Sequence, residues 1–266
     1  MNAPRADRPA PFPNGVSEPD RPAGASDAAA SPRREEALAA LGRVRLRARA
    51  GLLEDALGAM AELGFQVARP AANDDIMRKV REIIPAGANV VYHPCVVGRA
   101  IGVDEMLRAE ARHVVRLPGD GESARQNGSW REHLLAAQCG ITGATALVAD
   151  TGSLVLAEEL GFGRAASNVP PTHIALVTSD SVVETLPDAA VMARGYAALH
   201  LHRPLPRYLS FISGPSRTAD IGFTLVRGMH GPRTVHVLVW DGIKAVGNDD
   251  AALRDWGLAL RTEDRR

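Results

Sequence analysis

Cysteine is scarce in this 266-residue chain, Cys95 and Cys139 being the whole complement. Two thiols so far apart cannot supply the ligand set of an iron–sulfur cluster or a structural zinc site within one chain, and they make no secreted disulfide framework. Free thiols in a reducing compartment are therefore expected. Cys139, beside Gly140, is a candidate functional thiol, against the commoner role of a small buried apolar side chain. A charge imbalance is missing too: 31 Lys+Arg meet 31 Asp+Glu. There is no basic excess to recruit nucleic acid and no acidic tail. Lysine is nearly absent, with only Lys79 and Lys244, so the basic side chains are almost all arginine. No apolar run approaches the ~20 residues that span a bilayer, and the N-terminus lacks the apolar stretch of a secretory signal. A cytoplasmic protein without a membrane span is the expectation.

What is present suits a soluble globular protein: 45% hydrophobic and 23% charged residues, in a chain long enough for a substantial core. Residues 1–34 are rich in Pro, Ala, Gly, Ser and Asp and too poor in large apolar side chains to offset chain entropy, so a disordered tail is expected there. A main domain is expected over 35–242 and a C-terminal extension over 243–266. Apolar spacing predicts two helices between Glu35 and Leu63, broken at Gly51, and then a short strand at Phe65–Ala68. Asn73 or Asp74 is expected to cap a helix stopped by Pro85. Strands are expected at Ala88–Tyr92, His113–Leu117, His173–Thr178, Tyr208–Ile212 and Thr234–Trp240. Helices are expected at Gly102–Ala111, Trp130–Ala137, Ala189–His200 and Thr218–Arg227. Pro118–Asn127 and Gly161–Pro171, the latter carrying Asn168, read as loops, and Ser181-Val-Val-Glu184 has capping-box spacing. Such alternation predicts an α/β fold with a mixed, mostly parallel sheet flanked by helices.

Two segments concentrate chemistry. Ser213-Gly-Pro-Ser-Arg-Thr-Ala-Asp220 places hydroxyls, a guanidinium and a carboxylate between an expected strand and an expected helix. Free N–H groups at such a helix start, with Arg217 beside them, would hold an anion. The same residues also suit a plain turn in which Ser216 or Thr218 caps the helix and Arg217 pairs with a carboxylate. In Gly140–Leu156, apolar runs flank Asp150-Thr-Gly-Ser153, which reads as the tip of a strand pair, either an ordinary hairpin or a ligand contact made possible by Gly152. Ligands of open α/β sheets sit beyond strand ends, which would bring the Asp150 and Ser216 loops to one crevice if their strands are neighbours. His230-Gly-Pro232 supplies a possible base or a turn-closing imidazole. A Ser216–His230–Asp150 triad lacks the Gly-x-Ser-x-Gly elbow. The remaining histidines show no dependable ligand spacing, His200-x-His202 being only a weak hint, so no metal site is expected.

Together, Gly140-Ile-Thr-Gly-Ala through Asp150-Thr-Gly-Ser-Leu-Val-Leu156, Gly214-Pro-Ser-Arg-Thr-Ala-Asp-Ile221 and Gly228-Met-His-Gly-Pro232 resemble the LUD domain of the lactate-utilisation protein C family (LutC/YkgG), over roughly residues 36–242. The resemblance implies a fold similar to the NagB/RpiA/CoA-transferase group. It also implies a part in oxidising L-lactate to pyruvate beside iron–sulfur oxidoreductase subunits. The clusters would belong to those partners, with no cofactor in this chain. Ser153 stands where the family commonly has Thr, and Gly222 where a Glu commonly follows, leaving Asp220 as the nearby acid.

Three functions follow. The first is a non-redox subunit of a lactate-oxidising complex that binds a small carboxylate, another anion or a partner through Asp150, Thr151, Gly152, Ser153, Gly214, Ser216, Arg217, Thr218, Asp220 and His230. The second is an autonomous CoA- or acyl-transferase-like or sugar-phosphate enzyme, for which no catalytic Glu in a Gly-rich context is visible. The third is a scaffold without a ligand site. No residue is assigned a catalytic role.

Overall fold

The computed structural model describes residues 32–47, 50–109, 113–119, 130–201, 203–219 and 225–241. The expected tail up to residue 31, the 243–266 extension, most of the polar stretch after Pro118, His202 and Asp220 lie outside them.

The first two helices form where apolar spacing places them, as α1 (Pro32–Leu46) and α2 (Leu52–Glu62), with Gly51 in left-handed backbone between them. The first begins inside the segment expected to be tail. Then follow β1 (Gln66–Ala68), α3 (Asn73–Ile83), β2 (Asn89–Tyr92), α4 (Val96–Ala100), α5 (Val103–Ala109), β3 (His113–Arg116), α6 (Trp130–Ala136), β4 (Cys139–Gly143), β5 (Ala146–Val148) and β6 (Ser153–Glu158). The chain continues through α7 (Phe162–Asn168), β7 (Thr172–Thr178), β8 (Val182–Val183), α8 (Leu186–Tyr196), β9 (Tyr208–Ile212), β10 (Arg217–Ala219), β11 (Leu225–Arg227) and β12 (Thr234–Trp240).

Six strands pair in parallel in the order β1-β12-β7-β4-β2-β3, and four form a smaller mixed sheet, β8-β5-β6-β9. The period of two in a strand sorts the side chains into layers. Ile174, Leu176, Leu238 and Trp240 join Ile76, Val80 and Leu107 from α3 and α5 on one face of the large sheet. Their neighbours Ala175, Val177, Val237 and Val239 meet Leu147, Leu154 and Leu156 of the small sheet on the other. The outer face of the small sheet, through Ala146, Val148 and Val155, packs on Leu41 and Val44 of α1 and Met192 of α8. Helices, sheet, sheet and helices therefore stack as layers, each buried Val or Leu contributing about 1.5–3 kcal/mol.

Four local expectations are corrected. Asn73 does not cap α3, whose N-cap is Ala72 without a side-chain bond. The Asn73 side chain instead accepts a hydrogen bond from the indole of buried Trp240 at 2.8 Å, because an indole N–H taken out of water needs a partner. Gly161–Pro171 is not a loop but contains α7, whose first amides are held by a carboxylate from β6. Helix α8 is capped by Thr185, which accepts from Asp188 N, whereas Ser181 bonds to Thr178 at 2.6 Å. The helix expected over Thr218–Arg227 is replaced at its described ends by strands: β10 and β11 pair antiparallel, Arg217 opposite Arg227. Thr218 and Val226, β-branched and paired across the two strands, favour extended backbone over helix.

Candidate functional site at the carboxyl edge of the sheet

The order of the large sheet marks one place for a ligand. After β2 the chain turns outward to β3, while after β4 its next parallel strand is β7 on the opposite side. Neighbouring strands whose successors diverge leave a crevice outside their carboxyl ends. There the residues following β2, β4 and β7 surround a cleft of about 400 Å³, lined among others by His93, Cys95, Arg99, Thr145, Glu158, Thr178, Tyr196 and His200. Its apolar wall comes from Val97, Ala144, Leu156 and Leu176.

Glu158, at the end of β6, is only 2% exposed. Its two oxygens accept hydrogen bonds from Gly163 N at 2.7 Å and Arg164 N at 2.6 Å, the opening amides of α7. Such donors favour the charged carboxylate. A Cβ on Gly163 would fall 3.0 Å from His93 Nδ1 and 3.1 Å from Glu158 Oε2, so the imidazole and carboxylate converge on this glycine. Thr145 Oγ1 accepts from Ala157 N at 3.0 Å, tying the loop after β4 to β6. On the rim, the rings of Tyr196 and His200 lie 4.8 Å apart. Arg203 and Arg207, which follow that rim, both reach Glu159 Oε1, at 3.2 and 3.0 Å. Cys95 Sγ accepts from Gly98 N at 3.3 Å, and burial pushes its thiol up to about 11, so at neutral pH it is a protonated cap and not a nucleophile.

Gly143, Ala144 and Leu156 of the motif segment line this cleft, as do Cys95 and His200, but none of the ten residues expected to contact a ligand does. Those that the structure describes gather at the opposite, amino edge, where Ser153 begins β6 five strand steps, about 17 Å, from Glu158. Ser153, at the start of β6, and Ser213, after β9, place their hydroxyls 2.7 Å apart, since β6 and β9 are neighbours. Gly152 takes a φ of 59°, and a side chain there would strike the Ala59–Met60 backbone of α2. Asp150 is exposed, its N–H bonded to Glu184 O at 3.0 Å, while Thr151 Oγ1 is buried without a hydrogen-bond partner. Ser216 is bound three ways: its N–H donates to Pro232 O, its carbonyl accepts from Gly228 N, and its hydroxyl accepts from His230 N at 3.1 Å. The His230 side chain is exposed, and Thr218 sits in β10. Arg217 Nη2 lies against Gly64, just past α2, with Gly214 beside it. The structure thus joins the Ser153 loop to Ser213, and Ser216 to His230. The helix start that was to hold an anion is absent, because a strand follows Ser216.

A family model described as the LUD domain matches residues 53–240. The chain belongs to the LUD domain family. Its relatives include proteins named "Lactate utilization protein C". That of Geobacillus sp. (strain WCH70) is 32% identical over 123 residues, 46% of this chain and 49% of that protein. That of Bacillus subtilis (strain 168) is 36% identical over 106 residues, 40% and 43%. These matches span less than half the length of the relatives. A crystal structure of a duf162 family protein from Deinococcus radiodurans aligns with a TM-score of 0.49 at 22% identity, covering 72% of this chain and 98% of that one. No helix among the described residues is long and apolar enough to cross a membrane, and among them no group of three or more His, Cys, Asp and Glu could hold a metal ion.

Within the LUD domain, a buried imidazole, that of His173, sits near the amino end of β7 in the large sheet. The Thr142 hydroxyl, with one proton, donates it to Gly143 O at 2.8 Å, so its contact with His173 Nε2 at 2.9 Å is accepted from the ring. His173 is then protonated at Nε2, and its buried Nδ1 has no partner. Burial first, then the neighbouring His236, pushes His173 down to about 3. Between that value and the ordinary 6.5 the unfolded chain binds a proton that the native chain does not, so stability falls as pH falls through this window. The native state is expected to lose about 2 kcal/mol between pH 7 and pH 5 from this group. Urea unfolding of wild type and His173→Gln at both pH values checks it. A wild-type change no larger than the variant's would refute the neutral assignment.

Proposed function

We propose that this LUD domain serves lactate utilisation as a non-redox component, binding a small carboxylate in the cleft at the carboxyl edge. Its iron–sulfur partners would carry the electrons and the clusters. The names of its relatives support the process. The single observation that carries the site is the meeting of Arg99, His93 and buried Glu158 in one crevice at the switch point. Arg99 offers a guanidinium for a bidentate carboxylate. His93 lines the crevice next to Glu158, where an imidazole could exchange a hydrogen bond with a 2-hydroxyl once the side chain turns toward the ligand, and Thr145 and Thr178 add hydroxyls.

A second reading has an observation of its own. The cleft falls in the range of about 300–1,000 Å³ that buries a drug-sized ligand, well above the needs of a three-carbon acid. A buried glutamate on its wall also fits acyl or CoA transfer, although Glu158 already accepts two amides.

Titration calorimetry with L-lactate, pyruvate, phosphate and CoA separates these. A carboxylate is expected to bind saturably, with Arg99→Ala weakening it roughly tenfold or more. Arg217→Ala should leave the affinity unchanged and lower stability by about 0.3–1 kcal/mol, because Arg217 sits at the carbonyl end of α2. Affinity lost in Arg217→Ala but kept in Arg99→Ala would return the site to the amino edge. Binding of CoA alone would favour the transferase.

A further inference from the structure

The amino edge gathers three arginines that no carboxylate among the described residues pairs. Arg217 and Arg227 stand directly opposite each other on β10 and β11. Like charges across such a pair are destabilising. Arg233 lays its aliphatic stem over Gly228, beside Arg227, in space a side chain at 228 would fill. All three are exposed, and among the described residues none of them has an ion-pair partner. Between Arg227 and Arg233 lies Met229, 62% exposed, and Val169, 42% exposed, follows the Asn168 side chain that packs against Gly231.

We propose that this edge docks an acidic, partly apolar surface of a partner protein. Arginine and methionine together are the side chains enriched at protein interfaces. Exposed apolar groups set among the guanidiniums, in a chain of zero formal charge, fit a protein better than a nucleic acid. Carboxylates placed across from Arg217 and Arg227 would relieve their mutual repulsion, so the cost stored in the free domain is returned on docking. The inference rests on the reading that the domain works beside a partner, and it assigns that partner a face at the opposite edge of the sheet from the cleft.

The test uses the full chain and a fluorescein-labelled peptide of mixed Glu and Leu, followed by anisotropy at low and at physiological salt. Saturable binding that weakens with salt is expected, and Arg227→Glu with Arg233→Glu should reduce it roughly tenfold or more. The melting temperature should not fall in that variant, because reversal at 227 replaces a like-charge cross-strand pair by an opposite one, and the carboxylate titration should be unchanged. If charge reversal disturbs the Gly228 turn, Arg227→Gln with Arg233→Gln gives the same comparison. Absence of peptide binding, equal binding by the folded variants, or tighter binding of duplex DNA would overturn the proposal. Loss of carboxylate binding in wild type would instead count against the cleft and leave the docking face standing.

Discussion

Gly140→Ala is expected to leave the chain unable to reach its native state. Gly140 lies in β4, where α7 crosses so closely that a Cβ would run into the carbonyl of Ala166 and come within 2.8 Å of its carbon. Pro170 closes the remaining side at 3.2 Å. Backbone cannot swing aside as a flexible side chain can, and β4 is held by β2 and β7 on either edge. The penalty is expected to exceed about 3 kcal/mol, at the upper end for overpacking and a large part of a domain's stability. Gly58→Ala is the control, since nothing lies within 4 Å of a Cβ there. In the middle of α2 it should stabilise by about 0.5–1 kcal/mol. Thermal melts of both variants decide the matter; a Gly140→Ala protein melting near wild type would refute the close crossing.

Glu158→Gln carries the second large effect. One amide oxygen can replace only one of the two acceptors that Gly163 and Arg164 use, and the Gln NH₂ would face the other donor. A buried amide left unpaired and a charge-assisted bond lost together cost about 2–3 kcal/mol. Because the same carboxylate stands beside His93, any carboxylate binding in the cleft should weaken in parallel. A urea midpoint and a ligand affinity both equal to wild type would remove Glu158 from the site.

The class of fold is legible in the sequence because alternating patterns report burial directly. The all-apolar run of Ile174–Val177 is that of a strand covered on both faces, and β7 is such a strand. Errors arise where a distant residue supplies what local rules seek nearby. Helix α7 is opened by a carboxylate from β6 and not by a Ser or Asp of its own, and Asn73 is claimed by Trp240 from the far end of the chain. Ser153 and Ser213 meet because β6 and β9 are neighbours. Their edge of the sheet, however, depends on strand direction, which side-chain spacing does not encode. His93 and Glu158, at strand ends, carry no motif of their own. Only the strand order shows that they meet.

The six buried residues of β6 keep the two edges of the sheet apart. A ligand at its carboxyl end and a protein at its amino end, as proposed above, would have no atoms to dispute, so both could be held at once. Assembly would proceed in either order through a ternary complex, and excess ligand would not displace the partner.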